Sequence, residues 1–255
     1  MFRVVIPARH ASTRLPGKPL LAIAGVPMIV HVHDLSSRSG ASEVIVATDD
    51  ARIHDACRAA GAAVEMTGVH HASGTDRIAE VAKRRGWAGD DIVVNVQGDE
   101  PLLPPALIGQ VAELLAATPG AAIATLATPI ESDADYRDPN VVKVVSRPDG
   151  MALYFSRAPI PWDRDGAVEN PAGVGGHHGS RRHLGLYAYR VGALLALADT
   201  APAEVERRER LEQLRALAMG LAIVVADADE LPGPGVDTPE DLARAEKILQ
   251  AARRR

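Results

Sequence analysis

The chain is 255 residues long, 47% hydrophobic and 24% charged, with a formal net charge of -5. That is enough chain to bury a sizeable core in one large α/β domain, and the acidic balance excludes a general nucleic-acid-binding or membrane-inserted surface. A single cysteine, Cys57, excludes a disulfide framework and a multi-cysteine metal site, and no apolar window suits a signal peptide or a membrane span, so the chain reads as cytoplasmic.

The stretch from Val4 to Leu20, V-V-I-P-A-R-H-A-S-T-R-L-P-G-K-P-L, is a β-branched run that opens into a loop carrying Arg9, Arg14 and Lys18. A basic, Pro/Gly-punctuated segment between a strand and a helix presents its charge to something anionic. A Walker loop would need a glycine where Ser12 stands and a hydroxyl where Pro19 stands, and a dinucleotide fingerprint would need more glycines than Gly17. Next, Pro27 suits a first helical position, with Met28, Val32 and Leu35 at helical spacing before Gly40. Val44 to Ala47 predicts a strand, and Thr48-Asp49-Asp50 a cap for a helix with Ile53, Cys57 and Ala60 on one face. Ala62 to Met66 reads as a short strand, followed by a polar loop through Ser73 to Arg77 and a helix with Ile78 and Val81 inward. Ile92 to Val96 reads as a strand buried on both faces that ends in Gln97-Gly98-Asp99-Glu100-Pro101. Strands alternating with helices in this way imply a parallel sheet.

The second half changes rhythm. After a helix with Leu107, Ile108, Val111 and Leu114, the runs at 122–127, 141–145 and 152–155 follow without a long helix between them, so antiparallel or mixed strands are expected. Pro159 to Arg182 is Gly-rich and aperiodic, part of an excursion at about 130–190 on a single domain of residues 1–255. His183 to Tyr189 predicts a strand, 203–219 one charged helix with Leu211, Leu214 and Ala218 inward, Ile223 to Ala226 a strand, and Thr238 the cap of a final helix. The charged run Glu204 to Arg210 reads as a solvent-facing helix surface.

Ligands of an open parallel sheet bind beyond the carboxyl ends of its strands, where the cations of the first loop, Ser73 to Arg77, Asp99-Glu100 and Asp237 fall. Arg and Lys neutralise phosphate oxygens and carboxylates hold a hard cation, so this is the inventory of a nucleotide-phosphate site with Asp99 and Asp237 as Mg2+ ligands. Asp99 could instead cap a helix and Asp237 merely precede the Thr238 cap, and the loop cations could be solvated charges. The pairs His70-His71 and His177-His178 do not read as metal ligands, because adjacent side chains diverge.

Seven stretches together resemble the 3-deoxy-manno-octulosonate (Kdo) cytidylyltransferase family: I-P-A-R-x-A-S-T-R-L-P-G-K-P-L (6–20), S-G-T-D-R (73–77), N-V-Q-G-D-E-P (95–101), A-L-Y-F-S-R-A-x-I-P-W-D-R (152–164), R-H-L-G-x-Y-x-Y-R (182–190), L-E-Q-L-R (211–215) and G-V-D-T-P-E-D-L (235–242). The resemblance implies a Rossmann-like nucleotide-diphospho-sugar transferase fold, mostly parallel with a mixed-strand appendage, and a homodimer. It implies an enzyme that joins CTP and Kdo into CMP-Kdo and pyrophosphate for lipopolysaccharide synthesis. It assigns catalysis to Arg14, Lys18, Asp99 and Asp237, and nucleotide binding to Arg9, Arg14, Lys18, Ser73, Gly74, Arg77 and Gln97. Sugar binding falls to Arg157, Arg164, His183, Tyr187, Glu212 and Gln213. His10, Gly68, His70 and Ser180-Arg181 depart from the family's usual residues. A cytidylyltransferase for another 2-keto sugar acid, such as an 8-amino analogue or a sialic acid, would use much the same residues, as would a silent nucleotide sensor.

Overall fold

Uninterrupted apolar runs such as Val4 to Ile6 predict strands covered on both faces, and this is what the computed structural model, which describes residues 1–10, 15–164 and 177–253, contains. In strand β1 (Phe2–Ala8), Val4 and Ile6 enter one apolar layer and Val5 the other. The short hairpin β2 (Ala22–Ile23) and β3 (Val26–Pro27) leads to α1 (Met28–Ser37), β4 (Glu43–Thr48), α2 (Ala51–Ala59), β5 (Ala63–Met66), α3 (Gly74–Arg85), β6 (Ile92–Asn95) and α4 (Pro105–Ala117). The second half adds β7 (Ile123–Pro129), α5 (Asp133–Arg137), β8 (Lys143–Ser146), β9 (Ala152–Ser156) and β10 (Arg181–Arg190). It closes with α6 (Val191–Ala198), α7 (Glu204–Glu209), α8 (Gln213–Ala218), β11 (Ile223–Asp227) and α9 (Pro239–Arg253).

The main sheet runs β11-β7-β10-β6-β1-β4-β5. β1 is parallel to β4 and β6, β4 to β5, and β7 to β11, while β10 runs antiparallel to both β6 and β7. The β8–β9 hairpin attaches to the start of β10 as the mixed-strand appendage. Helices α1, α2 and α4 cover one face with Ile29, Ile53 and Leu107, and α3, α6 and α8 cover the other with Ile78, Leu194 and Leu214. Cys57 is one of the buried apolar groups, its thiol pKa pushed up to about 11 by burial. A separate cluster of Leu15, Ile23, Met28, Val236 and Ala245 fastens α9 across the hairpin that follows the first loop.

The predicted caps form: Asp50 accepts from Arg52 N at 2.9 Å, and Thr238 and Asp241 cap each other's backbone N–H at 3.2 and 3.1 Å. Pro27 caps α1 rather than opening it, one residue before the expected position. The helix expected over 203–219 is two helices, because Arg210 takes a left-handed conformation with φ 54°. That break changes the helical phase, so Leu211 and Leu214 are buried and Ala218 is exposed. It also corrects the reading of the charged run, since Glu206 is buried and paired through both oxygens with Arg215, at 2.6 and 2.9 Å. β10 begins inside the expected excursion, and the apolar helix α6 follows it directly, where no helix was expected.

Candidate active site

The chain leaves β1 toward β4 on one side and returns to β6 on the other, so the carboxyl ends of β1 and β6 flank the point where the strand order reverses. Gly98 lets the two ends close together: a Cβ there would stand 3.2 Å from Pro7 O and 3.3 Å from Ile29 Cδ1. A cleft of about 280 Å³ opens at this point, lined by residues from the loops after β1, β5 and β6 and by Asp237.

At its floor the Lys18 ammonium donates all its hydrogen bonds at once, to Asp99 Oδ2 at 2.7 Å, Val236 O at 2.7 Å and Asp237 Oδ1 at 2.9 Å. Burial disfavours its charge, but the two carboxylates outweigh that, and the Lys18 pKa is raised. The carboxylates reach into the cleft, 38% and 48% exposed against 11% for the lysine. Beside them Glu100, which the sequence reading left without a role, has its pKa pushed up to about 7 by burial and by the charges of Asp99 and Asp237. Asp99 and Asp237, two carboxylates open to the cleft, are the residues that could hold a hard divalent cation. Among the described residues no group of three or more His, Cys, Asp or Glu is placed to hold a metal ion.

The expected nucleotide-side residues gather on the same cleft. Arg9 is exposed at its mouth, and Ser73 caps α3 in a capping box with Asp76. Gly74 presses on β1, where an added Cβ would meet Pro7 Cγ at 3.0 Å. Gln97 donates to Asn95 Oδ1 at 3.3 Å. Arg77 lines the cleft but is 3% exposed, its guanidinium held by Asp49 at 2.8 Å and by the Thr67 hydroxyl. It therefore fixes the cleft wall rather than presenting an open cation. His71, unassigned from sequence, also lines the cleft and is bound to Glu80, which in turn holds Gly68 N at 2.9 Å. In the other histidine pair, His177 meets Asp133 at 2.6 Å. Arg14 lies outside the described residues.

The expected sugar-side residues are brought together only in part. The pairing of β10 with β7 shifts register between His183 and Tyr187, which oppose Ala127 and Thr125. Four residues of regular strand would set these side chains about 13 Å apart. The bulge folds the strand between them, so that their rings lie 5.2 Å apart. His183 is buried against the edge of Phe155, with Nε2 2.9 Å from Thr125 Oγ1, and burial pushes its pKa down to about 3, so the ring is neutral. Burial, with the charge of nearby Glu212, raises the Tyr187 pKa well above its ordinary value. Glu212 accepts from the Thr75 hydroxyl, and Gln213 is buried in the first turn of α8. Arg157 is committed elsewhere: it donates to the carbonyls of Glu209 at 2.6 Å, Pro139 at 2.8 Å and Arg210 at 3.5 Å. Arg164 is exposed at the edge of the described residues. Lys143, which no motif singled out, is fully buried and donates to the carbonyls of Val141, Arg157 and Asp138 at 2.6, 2.6 and 3.0 Å.

A family model described as Cytidylyltransferase matches residues 3–223. A 3-deoxy-manno-octulosonate cytidylyltransferase of Thioalkalivibrio sulfidiphilus is 56% identical over 98% of this chain and 99% of its own length. One of the same name from Halorhodospira halophila is 54% identical over 99% and 98%. A solved structure of a CMP:2-keto-3-deoxy-manno-octonic acid synthetase complexed with CTP superposes with a TM-score of 0.88 at 39% identity, covering 99% of this chain and all of that one.

Proposed function

The chain belongs to the cytidylyltransferase family and groups there with the 3-deoxy-manno-octulosonate cytidylyltransferases, and on that premise we propose that it transfers the CMP moiety of CTP to the anomeric hydroxyl of Kdo, releasing pyrophosphate. The observation that carries the reading is the Lys18–Asp99–Asp237 cluster at the floor of the switch-point cleft.

The reaction brings two anions together, a sugar carboxylate and a triphosphate, and sheds a third. At about 4 Å two unit charges interact by roughly 4 kcal/mol at an effective dielectric near 20, so the site must supply fixed countercharge. Lys18, with its raised pKa, remains protonated through the neutral range. An incoming phosphate oxygen would replace one of its acceptors, which puts the ammonium where charge develops on the departing pyrophosphate. Arg9 adds charge at the cleft mouth, and Arg14 belongs to the same proposed clamp. Asp99 and Asp237 would hold a magnesium ion, which supplies charge neutralisation at the α-phosphate and acidifies the attacking hydroxyl. Neutral His183, Tyr187, Glu212 and Gln213 offer hydrogen-bonding partners for sugar hydroxyls, with Arg164 as the cation of that side and Arg157, held by three carbonyls, bracing its wall. Alignment of attacking and leaving oxygens would come from holding CTP in the cleft with the sugar acid beside it.

The proposal includes a homodimer in the cytoplasm. Leu153 and Trp162, 58% and 59% exposed in the excursion, are apolar surface that a second copy would cover, and no helix of the described residues is long and apolar enough to cross a membrane. The deciding experiment is pyrophosphate release measured with each of the four nucleotides and with Kdo, its 8-amino analogue and a sialic acid. Release with CTP and Kdo above all other pairs is expected. CTP binding without pyrophosphate release from any sugar acid would overturn the enzyme reading.

A further inference from the structure

A buried line of polar side chains runs beneath the cleft from the expected nucleotide side to the expected sugar side. Gln97 Nε2 donates to Asn95 Oδ1 at 3.3 Å, the Thr75 hydroxyl donates to Glu212 Oε1, and the buried Tyr189 hydroxyl lies among the side chains of Asn95, Thr75 and Glu212. Asn95, Tyr189 and Thr75 are each 3% exposed. The Thr75–Glu212 bond joins residues 137 positions apart, and the other Glu212 oxygen faces Arg215 at a longer 3.9 Å. Thr75 sits in the first turn of α3, directly after Ser73 and Gly74 on the cleft wall. A single buried hydroxyl thus ties the wall of one subsite to a carboxylate of the other.

Resting on the function proposed above, we propose that Thr75 is a positioning residue for the sugar acid: its hydroxyl fixes the Glu212 carboxylate in the orientation that receives a sugar hydroxyl. Glu212 stands at the start of α8, where without that donor its side chain would turn among several rotamers. A hydrogen bond to an ionised group carries enough free energy that losing its orienting effect changes sugar affinity on the order of tenfold.

Steady-state pyrophosphate release by Thr75→Val, Thr75→Ser and Tyr189→Phe tests this, with thermal melting of each. Thr75→Val is expected to raise KM for Kdo about tenfold with KM for CTP within about twofold of wild type, whereas Thr75→Ser, which keeps the donor, returns KM for Kdo to within about threefold. Tyr189→Phe, which removes the next hydroxyl while keeping the ring, is expected to raise KM for Kdo severalfold. An unchanged Kdo KM in Thr75→Val, an equal rise in both KM values, or a Thr75→Ser enzyme as impaired as Thr75→Val would overturn the positioning role. Wild-type protein that releases no pyrophosphate from CTP and Kdo would instead refute the function beneath it, and the role with it.

Discussion

Replacing Lys18 with methionine keeps the length of the side chain and removes the one ammonium between Asp99 and Asp237. At 2.7 and 2.9 Å the two attractions would be worth about 6 kcal/mol each at an effective dielectric of 20, and about 1.5 kcal/mol each in water. The carboxylates are 38% and 48% exposed, so solvent screening places the true figures near the lower limit. The substitution also relieves the desolvation of a lysine that is only 11% exposed. The net cost to folding is therefore about 1–3 kcal/mol. With an unfolding entropy of about 0.5 kcal/mol per degree for a chain of this length, that lowers Tm by about 2–6 °C. Turnover should fall far more, by about 10²-fold or greater, because the lost charge was held in place before the reaction began. Glu100, whose pKa the Lys18 charge now holds down against burial and two aspartates, should titrate higher still. Pyrophosphate release, differential scanning calorimetry and carboxyl NMR of Glu100 read the three quantities. Turnover within about threefold of wild type in the folded variant would refute the catalytic placement of Lys18. A drop in Tm of well over 10 °C would show that the lysine is chiefly a structural pin.

Gly74→Ala should gain up to about 1 kcal/mol of helix propensity, yet its Cβ would press on Pro7, so KM for CTP should rise severalfold while Tm holds; an unchanged KM would show that the α3 terminus does not set the nucleotide pocket. His183 has a folded pKa of about 3 against an ordinary 6.5, so between those values the unfolded chain binds more protons and stability rises with pH. About 3 kcal/mol should be lost by pH 4 relative to neutral pH, and urea unfolding of His183→Gln, which cannot protonate, should lack that share of the acid slope; an identical slope would refute the buried neutral ring. Lys143→Met strips the donor from three carbonyls and should cost about 3 kcal/mol in urea unfolding, with Tm about 6 °C lower; a variant as stable as wild type would mean that water replaces the ammonium.

The parts of the molecule that obey a local rule could be read from the chain. Uninterrupted apolar runs and stop signals mark β1, β4 and β6 with their helices, because a strand covered on both faces has a composition that no loop imitates. The cations after β1 and the aspartates at 99 and 237 were found through the rule that ligands lie at strand carboxyl ends. Features decided by a distant partner were not legible. Arg157 and Arg77 look like free cations in sequence, yet one is bound by three carbonyls and the other by Asp49. Lys143 in a β-branched run suggests an outward side chain, and only the fold reveals its carbonyl cage. The run from 203 to 219 has unbroken helical composition, and nothing local announces that Arg210 turns left-handed so that Glu206 can reach Arg215. The bulge between His183 and Tyr187 carries one signal, Gly185 with φ 75°, a residue that weakens a regular strand and commonly marks a bulge.

The three bonds of Lys18 reach across 81, 218 and 219 residues of chain. A ribosome delivers such a chain from its N-terminus at about 5–20 residues per second, so for much of synthesis the ammonium has only Asp99 to meet. The second carboxylate arrives when the segment carrying Val236 and Asp237 has emerged and α9 has seated over Ile23 and Met28. The charge balance of the cleft is thus among the last features of the molecule to be completed. The assembly of the centre is thereby tied to the docking of α9, so that the packing of Val236 and Ala245 on Ile23 and Met28 and the charge pairing of Lys18 stand or fall together.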